Sequence, residues 1–219
     1  MDIFSGEASM LKILIADDHA IVREGIKQIL VEIPDKITTD EAINGKEVIQ
    51  KVYDNNYDMV LLDISMPGRS GLDILKYLKG EKPALKILIL SMHPEEQYAV
   101  RALKAGASGY LTKESTPHEL TEAIRKVSMG KKYVSSSLAE TLASHLETTA
   151  EKPLHETLSN REFEVMCMIA SGKTVKEVAD ELSLSVKTIS TYRTRILEKM
   201  KMKNNAQLTH YTILNNLIN

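Results

Sequence analysis

The sequence predicts an α/β protein: a doubly wound five-stranded parallel sheet joined to a small all-α unit of four helices with a helix-turn-helix. Three observations predict it. Short apolar runs alternate with helix-period segments five times over residues 10–130, the pattern of a parallel sheet covered on both faces. The strongest runs, KILIA, MVLL and KILIL, are continuously apolar, as strands buried on both faces are. From Ser159 onward the strand signals stop, and helix caps recur at short intervals.

In order, Lys12 to Ala16 is a strand ending at Asp17 and Asp18, followed by a helix through Val22, Ile26, Ile29 and Leu30. Ile37 to Asp40 is a weaker strand, and Lys46 to Tyr53 a helix. Met59 to Leu62 is a strand ending at Asp63, with Leu72 to Leu78 helical behind it. Lys86 to Leu90 is a strand ending at Ser91, and Glu95 to Lys104 a helix closed at Gly106. Gly109 to Thr112 is a short strand before Lys113, and Pro117 opens a helix to Met129.

The expected domains are residues 10–130, a linker over 131–154 holding one short amphipathic helix (Leu138, Leu142, Leu146, then ETTAEKP), and residues 155–219. In the last domain Ser159 with Glu162, and Thr174 with Glu177, form capping-box patterns. Ser185 caps a third helix, VKTISTYRTRILEKM, and a fourth runs from about Ala206 to Leu217. Two helices split by Ser183-Leu184-Ser185, the second basic and rich in hydroxyls, read as helix-turn-helix.

Bulk properties narrow the function. No apolar run approaches the roughly 20 residues of a membrane span. MDIFSGEASM has no basic stretch leading into an apolar one, so no secretory signal is expected, and Met10 is an equal candidate for the start. A single cysteine, Cys167, lies in the apolar run VMCMIA and is expected in the core. It fits a reducing, cytoplasmic setting. Residues 1–130 carry 16 basic against 20 acidic side chains, whereas 131–219 carry 12 against 10. The basic tail invites a polyanion, although a solvated helix face explains it as simply.

The chemistry concentrates at the strand ends, where the working crevice of an open parallel sheet lies. Asp17, Asp18 and Asp63 would repel one another without a cation, and their hard oxygens suit Mg²⁺. Asp63 is then a candidate nucleophile for an acyl phosphate. Lys113 is placed to pair with Asp63 or with phosphoryl oxygens, and Ser91 to donate a hydroxyl to the same oxygens. His19 follows the acidic pair but is read as a helix-start histidine, since oxygen ligands suffice. No histidine spacing suits zinc.

Together DD at 17–18, D-x-x-M-P-x-x-x-G from Asp63 to Gly71, Ser91, and GASGYLTK at 106–113 resemble the receiver domains of two-component response regulators. LSNREFEVMCMIASGKTVKEVADELSLSVKTISTYRTRILEKM resembles the LuxR-type helix-turn-helix. The chain after Met10 thus resembles a NarL/FixJ-type response regulator. The resemblance implies a flavodoxin-like receiver fold and phosphorylation of Asp63 by a sensor histidine kinase. It implies Mg²⁺ held by Asp17, Asp18, Asp63 and the Ser65 backbone carbonyl, with Ser91 and Lys113 on the phosphoryl group and Tyr110 as switch aromatic. It places Ser190, Thr191 and Thr194 toward base edges of double-stranded DNA, and Lys187, Tyr192, Arg193 and Arg195 on phosphates.

Three positions depart from the common pattern: Glu114 instead of proline, Met92 where a smaller residue is usual, and Tyr192 where many relatives have histidine. Met92 is expected to narrow access for small phosphodonors. The expected function is a phosphorylation-regulated transcription regulator that forms a homodimer when phosphorylated, through receiver helices or around Leu208, Tyr211, Leu214 and Leu217. It is not an enzyme acting on outside substrates. One alternative is a DNA-binding protein whose receiver dimerises independently of phosphorylation, which the intact acidic pocket disfavours. The other is a phosphatase of the haloacid dehalogenase type, disfavoured because D-x-D is absent at Asp63-Ile64-Ser65.

Overall fold

The computed structural model describes residues 10–33, 36–147 and 153–218. Residues 1–9, which precede the candidate start at Met10, and most of the ETTAEKP segment lie outside the described residues. The chain divides into two compact units, residues 1–93 with 101–134 and residues 94–100 with 135–219.

The first unit is the doubly wound sheet. Its strands are β1 (Leu11–Ala16), β2 (Ile37–Ala42), β3 (Met59–Asp63), β4 (Lys86–Ser91) and β5 (Gly109–Thr112), with helices α1 (Ala20–Val31), α2 (Gly45–Asp54), α3 (Gly71–Glu81), α4 (Glu95–Lys104) and α5 (Pro117–Ser128). All pairings are parallel, in the order β2-β1-β3-β4-β5. β2 is an edge strand, which explains its weak signal: ITTDEA buries only Ala42 fully, because one side of it meets solvent. β3 is buried at every position, Asp63 included.

Alternate residues of each strand serve opposite faces. Ile13, Ile15, Met59, Leu61, Leu88, Leu90 and Leu111 pack with Ile26 and Leu30 of α1 and with Leu120, Ile124 and Val127 of α5. α2 lies against β1 and α3 against β3. Caps start the helices where the sequence placed them: Asn44 accepts the Glu47 amide, and Thr116 with Glu119 completes a capping box before Pro117. Tyr133, expected in the linker, instead bridges Gly109 and packs into the same core, so the sheet unit runs to Val134.

The second unit holds α6 (Ser136–Glu147), a 3₁₀ turn at Leu154–Thr157, α7 (Asn160–Ala170), α8 (Val175–Glu181), α9 (Val186–Lys199) and α10 (Asn205–Leu214). Both expected capping boxes, Ser159 with Glu162 and Thr174 with Glu177, form. Ser185 caps α9 by accepting the Thr188 amide at 3.0 Å. α7 is buried from Arg161 to its end, Cys167 included. Val186, expected in the core with Ile189, Ile196 and Met200, is 49 % exposed, because it opens α9 before the helix reaches its neighbours. α10 ends at Leu214, short of the expected Leu217. Among the described residues no helix is long and apolar enough to cross a membrane.

Candidate phosphoacceptor site and nucleic-acid interface

Strand register builds the first site. Ala16 pairs with Leu62, Asp63 with Leu90, and Ser91 with Thr112. The next residues along each strand therefore bring Asp17, Asp63, Ser91 and Lys113 side by side at the carboxyl ends of β1, β3, β4 and β5. The strand order reverses between β1 and β3, which opens the crevice there. The sequence-predicted cluster is assembled as expected, with Asp63 1 % and Asp17 2 % exposed.

Lys113 holds it together. Its Nζ lies 2.7 Å from Asp63 Oδ2 and 2.7 Å from Asp17 Oδ2. Its amide donates to the Ser91 carbonyl at 2.7 Å, tying the ends of β4 and β5. Burial pushes the Asp63 pKa up, and Lys113 only partly offsets this. Burial also works against the Lys113 ammonium, but Asp63 and Asp17 outweigh it and its pKa is raised. Asp63 is thus desolvated and held by one cation shared with a second carboxylate.

The loop after β3 aims that carboxylate. The Ser65 amide donates to Asp63 Oδ1 at 3.0 Å, and the Gly71 amide to the Ile64 carbonyl at 3.2 Å. A β-carbon at Gly71 would stand 2.4 Å from Ile64 Cα and 2.7 Å from the Asp63 carbonyl oxygen. Only glycine admits this approach, which is the physical reason for a glycine eight residues after Asp63. Ser91 is fully buried, and its Oγ accepts the His93 amide at 3.0 Å. Tyr110 is also fully buried, with its hydroxyl donating to the His93 carbonyl at 2.8 Å. Ser91 and Tyr110 therefore meet the same residue of the β4–α4 loop. Met92 is largely exposed.

One neighbour escaped the sequence reading. Arg23 donates from Nη1 to the Asp17 carbonyl at 2.9 Å and pairs through Nε with Glu41 at 2.5 Å. Its position four residues after His19, one helical turn into α1, is the signal that would have found it. His19 itself is at the N-cap of α1, as expected, but its ring turns to Asp17 and Asp18. Asp17, Asp18, His19 and Asp63 each offer a donor atom, all within 4.8 Å of one another. This oxygen-rich set fits a divalent cation, and Asp18 Oδ1, buried without a hydrogen bond, fits a missing ligand bond.

In the second unit α8, the turn at 182–185 and α9 form the helix-turn-helix, with Ser183 in a left-handed conformation (φ 54°). Lys187, Ser190, Thr191, Thr194 and Arg195 are exposed along α9. Tyr192 and Arg193 are half-buried, and Arg193 Nε donates to Asn205 Oδ1 of α10 at 2.8 Å. The Ser190, Thr191 and Thr194 hydroxyls donate to carbonyls one turn back, those of Val186, Lys187 and Ser190. Leu208 and Leu217, expected at a dimer surface, are buried, whereas Leu214 is exposed.

A five-stranded parallel sheet with a lysine-clamped acidic cluster at its switch point, and a separate helix-turn-helix, define a signal-receiving domain coupled to a DNA-binding one. Residues 13–125 match the family described as the response regulator receiver domain, and residues 156–212 the bacterial regulatory proteins of the luxR family. The chain is 36 % identical to the response regulator UvrY of Escherichia coli (strain K12) over 211 residues, covering 96 % of this chain and 97 % of that one. It is 37 % identical to the oxygen regulatory protein NreC of Staphylococcus epidermidis, covering 95 % and 99 %. RcsB of Salmonella enterica serovar Typhimurium, solved bound to promoter rprA with a phosphomimetic, superposes with a TM-score of 0.65 at 28 % identity, covering 92 % and 98 %.

The chain belongs to the response regulators that join a receiver to a LuxR-type helix-turn-helix, the NarL/FixJ type. It is a phosphorylation-regulated, DNA-binding transcription regulator and not a metabolic enzyme.

Proposed function

We propose that Asp63 accepts a phosphoryl group from a sensor histidine kinase, with Mg²⁺ held by Asp17, Asp18, Asp63 and the Ser65 carbonyl. The single observation that carries this is the Lys113 ammonium clamped at 2.7 Å between Asp63 and Asp17 at the switch point of the sheet. The Ile64 carbonyl already accepts the Gly71 amide, which favours Ser65 as the backbone ligand. The cation supplies charge neutralisation for an incoming phosphoryl group. This chain's residues aim the Asp63 carboxylate, exclude water from it, and offer Lys113 and the Ser91 hydroxyl to the phosphoryl oxygens.

Phosphorylation adds about −1.5 to −2 charges at pH 7. It draws the Ser91 hydroxyl as a donor, and the same Oγ accepts the His93 amide while Tyr110 is fastened to the His93 carbonyl. A shift of His93 therefore repacks the Tyr110 hydroxyl, an electrostatic event read out as packing. The response is a shift toward a homodimer that binds two half-sites of double-stranded DNA in the cytoplasm. Residues 10–130 act as the receiver and 155–219 as the DNA-binding domain, joined by 131–154. Ser190, Thr191 and Thr194 face base edges, and Lys187 and Arg195 contact phosphates, with Tyr192 and Arg193 closer to the core and contributing less freely.

The test is intact mass after incubation with Mg²⁺ and phosphoramidate, for wild type and Asp63→Asn. One phosphoryl group on the wild type alone is expected. Unchanged DNA affinity between the two forms at matched salt would remove the coupling and leave a phosphorylation-independent receiver.

A further inference from the structure

Asp17, Asp18 and Asp63 crowd three carboxylates around one ammonium, that of Lys113. Like charges this close repel. Asp63 ends a strand buried at every position and cannot retreat. Asp17 and Asp18 stand where β1 gives way to α1, so the loop at 17–19 is the part able to recoil.

That loop is held from two sides. The Asp17 amide donates to the Ala42 carbonyl of β2 at 3.0 Å. From α1, Arg23 Nη1 donates to the Asp17 carbonyl at 2.9 Å. A peptide group is planar, so fixing that oxygen fixes the plane joining Asp17 to Asp18, and with it the starting point of both side chains. Arg23 Nε pairs with Glu41 Oε2 of β2 at 2.5 Å. Glu41 neutralises the guanidinium, so the loop gains a bond without gaining a charge that opposes a cation. Glu41 is anchored in turn: Lys27 Nζ lies 2.8 Å from its Oε1, and the Lys51 ammonium of α2 donates to its carbonyl. A plain strut between α1 and β2 is the simpler reading, and Lys27 already provides one. It does not account for the second bond of Arg23. A guanidinium is a rigid fork of donors; this one is 12 % exposed and reaches both Glu41 and the Asp17 backbone.

We propose that Arg23, anchored by Glu41, is a positioning residue for the acidic pair: it holds the Asp17–Asp18 peptide in place against carboxylate repulsion and so sets the affinity of the pocket for Mg²⁺. This rests on the reading that the acidic cluster holds that cation. Arg23 acts on cation binding and not on the phosphoryl transfer itself, because its contacts are to a backbone oxygen and to a carboxylate outside the pocket. Glu41 works through Arg23, so removing either loses the same thing. Lys27 shares Glu41 but has no bond to the loop, and its loss leaves the pocket as it was.

The test titrates the full chain with Mg²⁺ calorimetrically, as wild type, Arg23→Gln, Glu41→Gln, the double variant and Lys27→Gln. It also measures the rate of phosphorylation by phosphoramidate at saturating Mg²⁺. Arg23→Gln and Glu41→Gln should each lose about tenfold or more in Mg²⁺ affinity, as outer partners of metal ligands do. The double variant should fall within about twofold of Arg23→Gln, since the two residues act as one unit. Lys27→Gln should stay within about twofold of wild type, and the rate at saturating Mg²⁺ should change as little in every variant. Arg23→Lys keeps a cation for Glu41 and gives up the fork; it should show the same loss of affinity, and it answers the question if Arg23→Gln fails to fold. Wild-type Mg²⁺ affinity in the Arg23 variants, or an equal loss in Lys27→Gln, would overturn the proposal and leave the cation site standing. A rate that stays slow at saturating Mg²⁺ would overturn the assignment of Arg23 to cation binding. Wild type binding no Mg²⁺ would overturn the cation reading and the proposal together.

Discussion

Among the described residues, two buried ionic clusters stand out, and they differ in how many carboxylates crowd one cation. In the helical unit Arg161 pairs with Glu164 at 2.7 Å, and its other nitrogen reaches the Leu182 carbonyl at 3.4 Å. That cation has its carboxylate partner on the same helix. At the sheet's switch point a single lysine serves Asp63 and Asp17, with Asp18 beside them. Both clusters carry the desolvation cost of buried charge. The Arg161 pair ties α7 to the end of α8. The unbalanced one is incomplete without an added cation. A buried charge is therefore weak information about function; a buried charge without its counter-charge is strong information.

The largest effects should come from removing the cation of each cluster. Arg161→Met removes the cation of the buried pair with Glu164 and should cost about 3–5 kcal/mol in urea unfolding. Lys113→Met strands two carboxylates and should cost a similar amount, about 3 kcal/mol, in metal-free buffer. The two should then part company. Mg²⁺ at about 100 times its dissociation constant stabilises a folded site by about 2.7 kcal/mol, and with the competing ammonium gone the Lys113 variant should bind it better. Its deficit should shrink, whereas the Arg161→Met deficit should stay. Identical responses to Mg²⁺ would erase the distinction between the clusters.

Gly71→Ala probes the backbone that aims Asp63. The added methyl meets Ile64 Cα and the Asp63 carbonyl, both backbone atoms that cannot step aside. Overpacking of this kind costs about 1–3 kcal/mol. The displaced loop carries the Ser65 amide away from Asp63 Oδ1, so phosphorylation by phosphoramidate should slow as well. A variant as stable as wild type that is phosphorylated at the same rate would show that the close approach matters to neither.

The comparison also explains what the sequence made legible. Asp63 stood out because a carboxylate ended an apolar run, and parallel register then brought Asp17, Ser91 and Lys113 to the same edge without further information. Arg161 and Glu164 were invisible as a pair. Charged residues spaced three apart on a helix usually face solvent, and nothing in REFEVM says that this helix is buried all round. His19 was read as a helix-start residue, which it is; only coordinates show which way a ring turns from such a position. Leu208 and Leu217 were read as a free face because a helical wheel does not say what else packs against it, and Val186 failed for the opposite reason. Periodicity finds stripes, and neighbours decide which stripes are covered.

A milder test sits at the other end of the sheet, where a buried tyrosine meets a half-exposed carboxylate. The Tyr57 hydroxyl donates to Asp40 Oδ2 at 2.7 Å, and Lys12 lies 3.3 Å from the same oxygen. The hydroxyl does most to hold the Asp40 carboxyl below its usual pKa; burial pulls the other way. Burial, with help from Asp40, raises the Tyr57 phenol far above its usual value. A carboxylate whose pKa is depressed by folding contributes stability that is complete above its unfolded value, 3.8, and is lost as pH falls through the folded one. A phenol raised by folding contributes stability that is complete below its unfolded value, 10.0, and is lost as pH rises past it. Tyr57→Phe should therefore cost about 1 kcal/mol between these limits, reduced from a fully buried charged hydrogen bond by solvent screening. The gap between variant and wild type should close at both ends of the pH range, in acid as Asp40 protonates and in alkali as the phenol ionises. A gap that stays constant from pH 3 to pH 11 would mean that the lost hydroxyl acted through packing alone. The Tyr57–Asp40 pair would then differ from the two buried clusters in kind and not merely in degree.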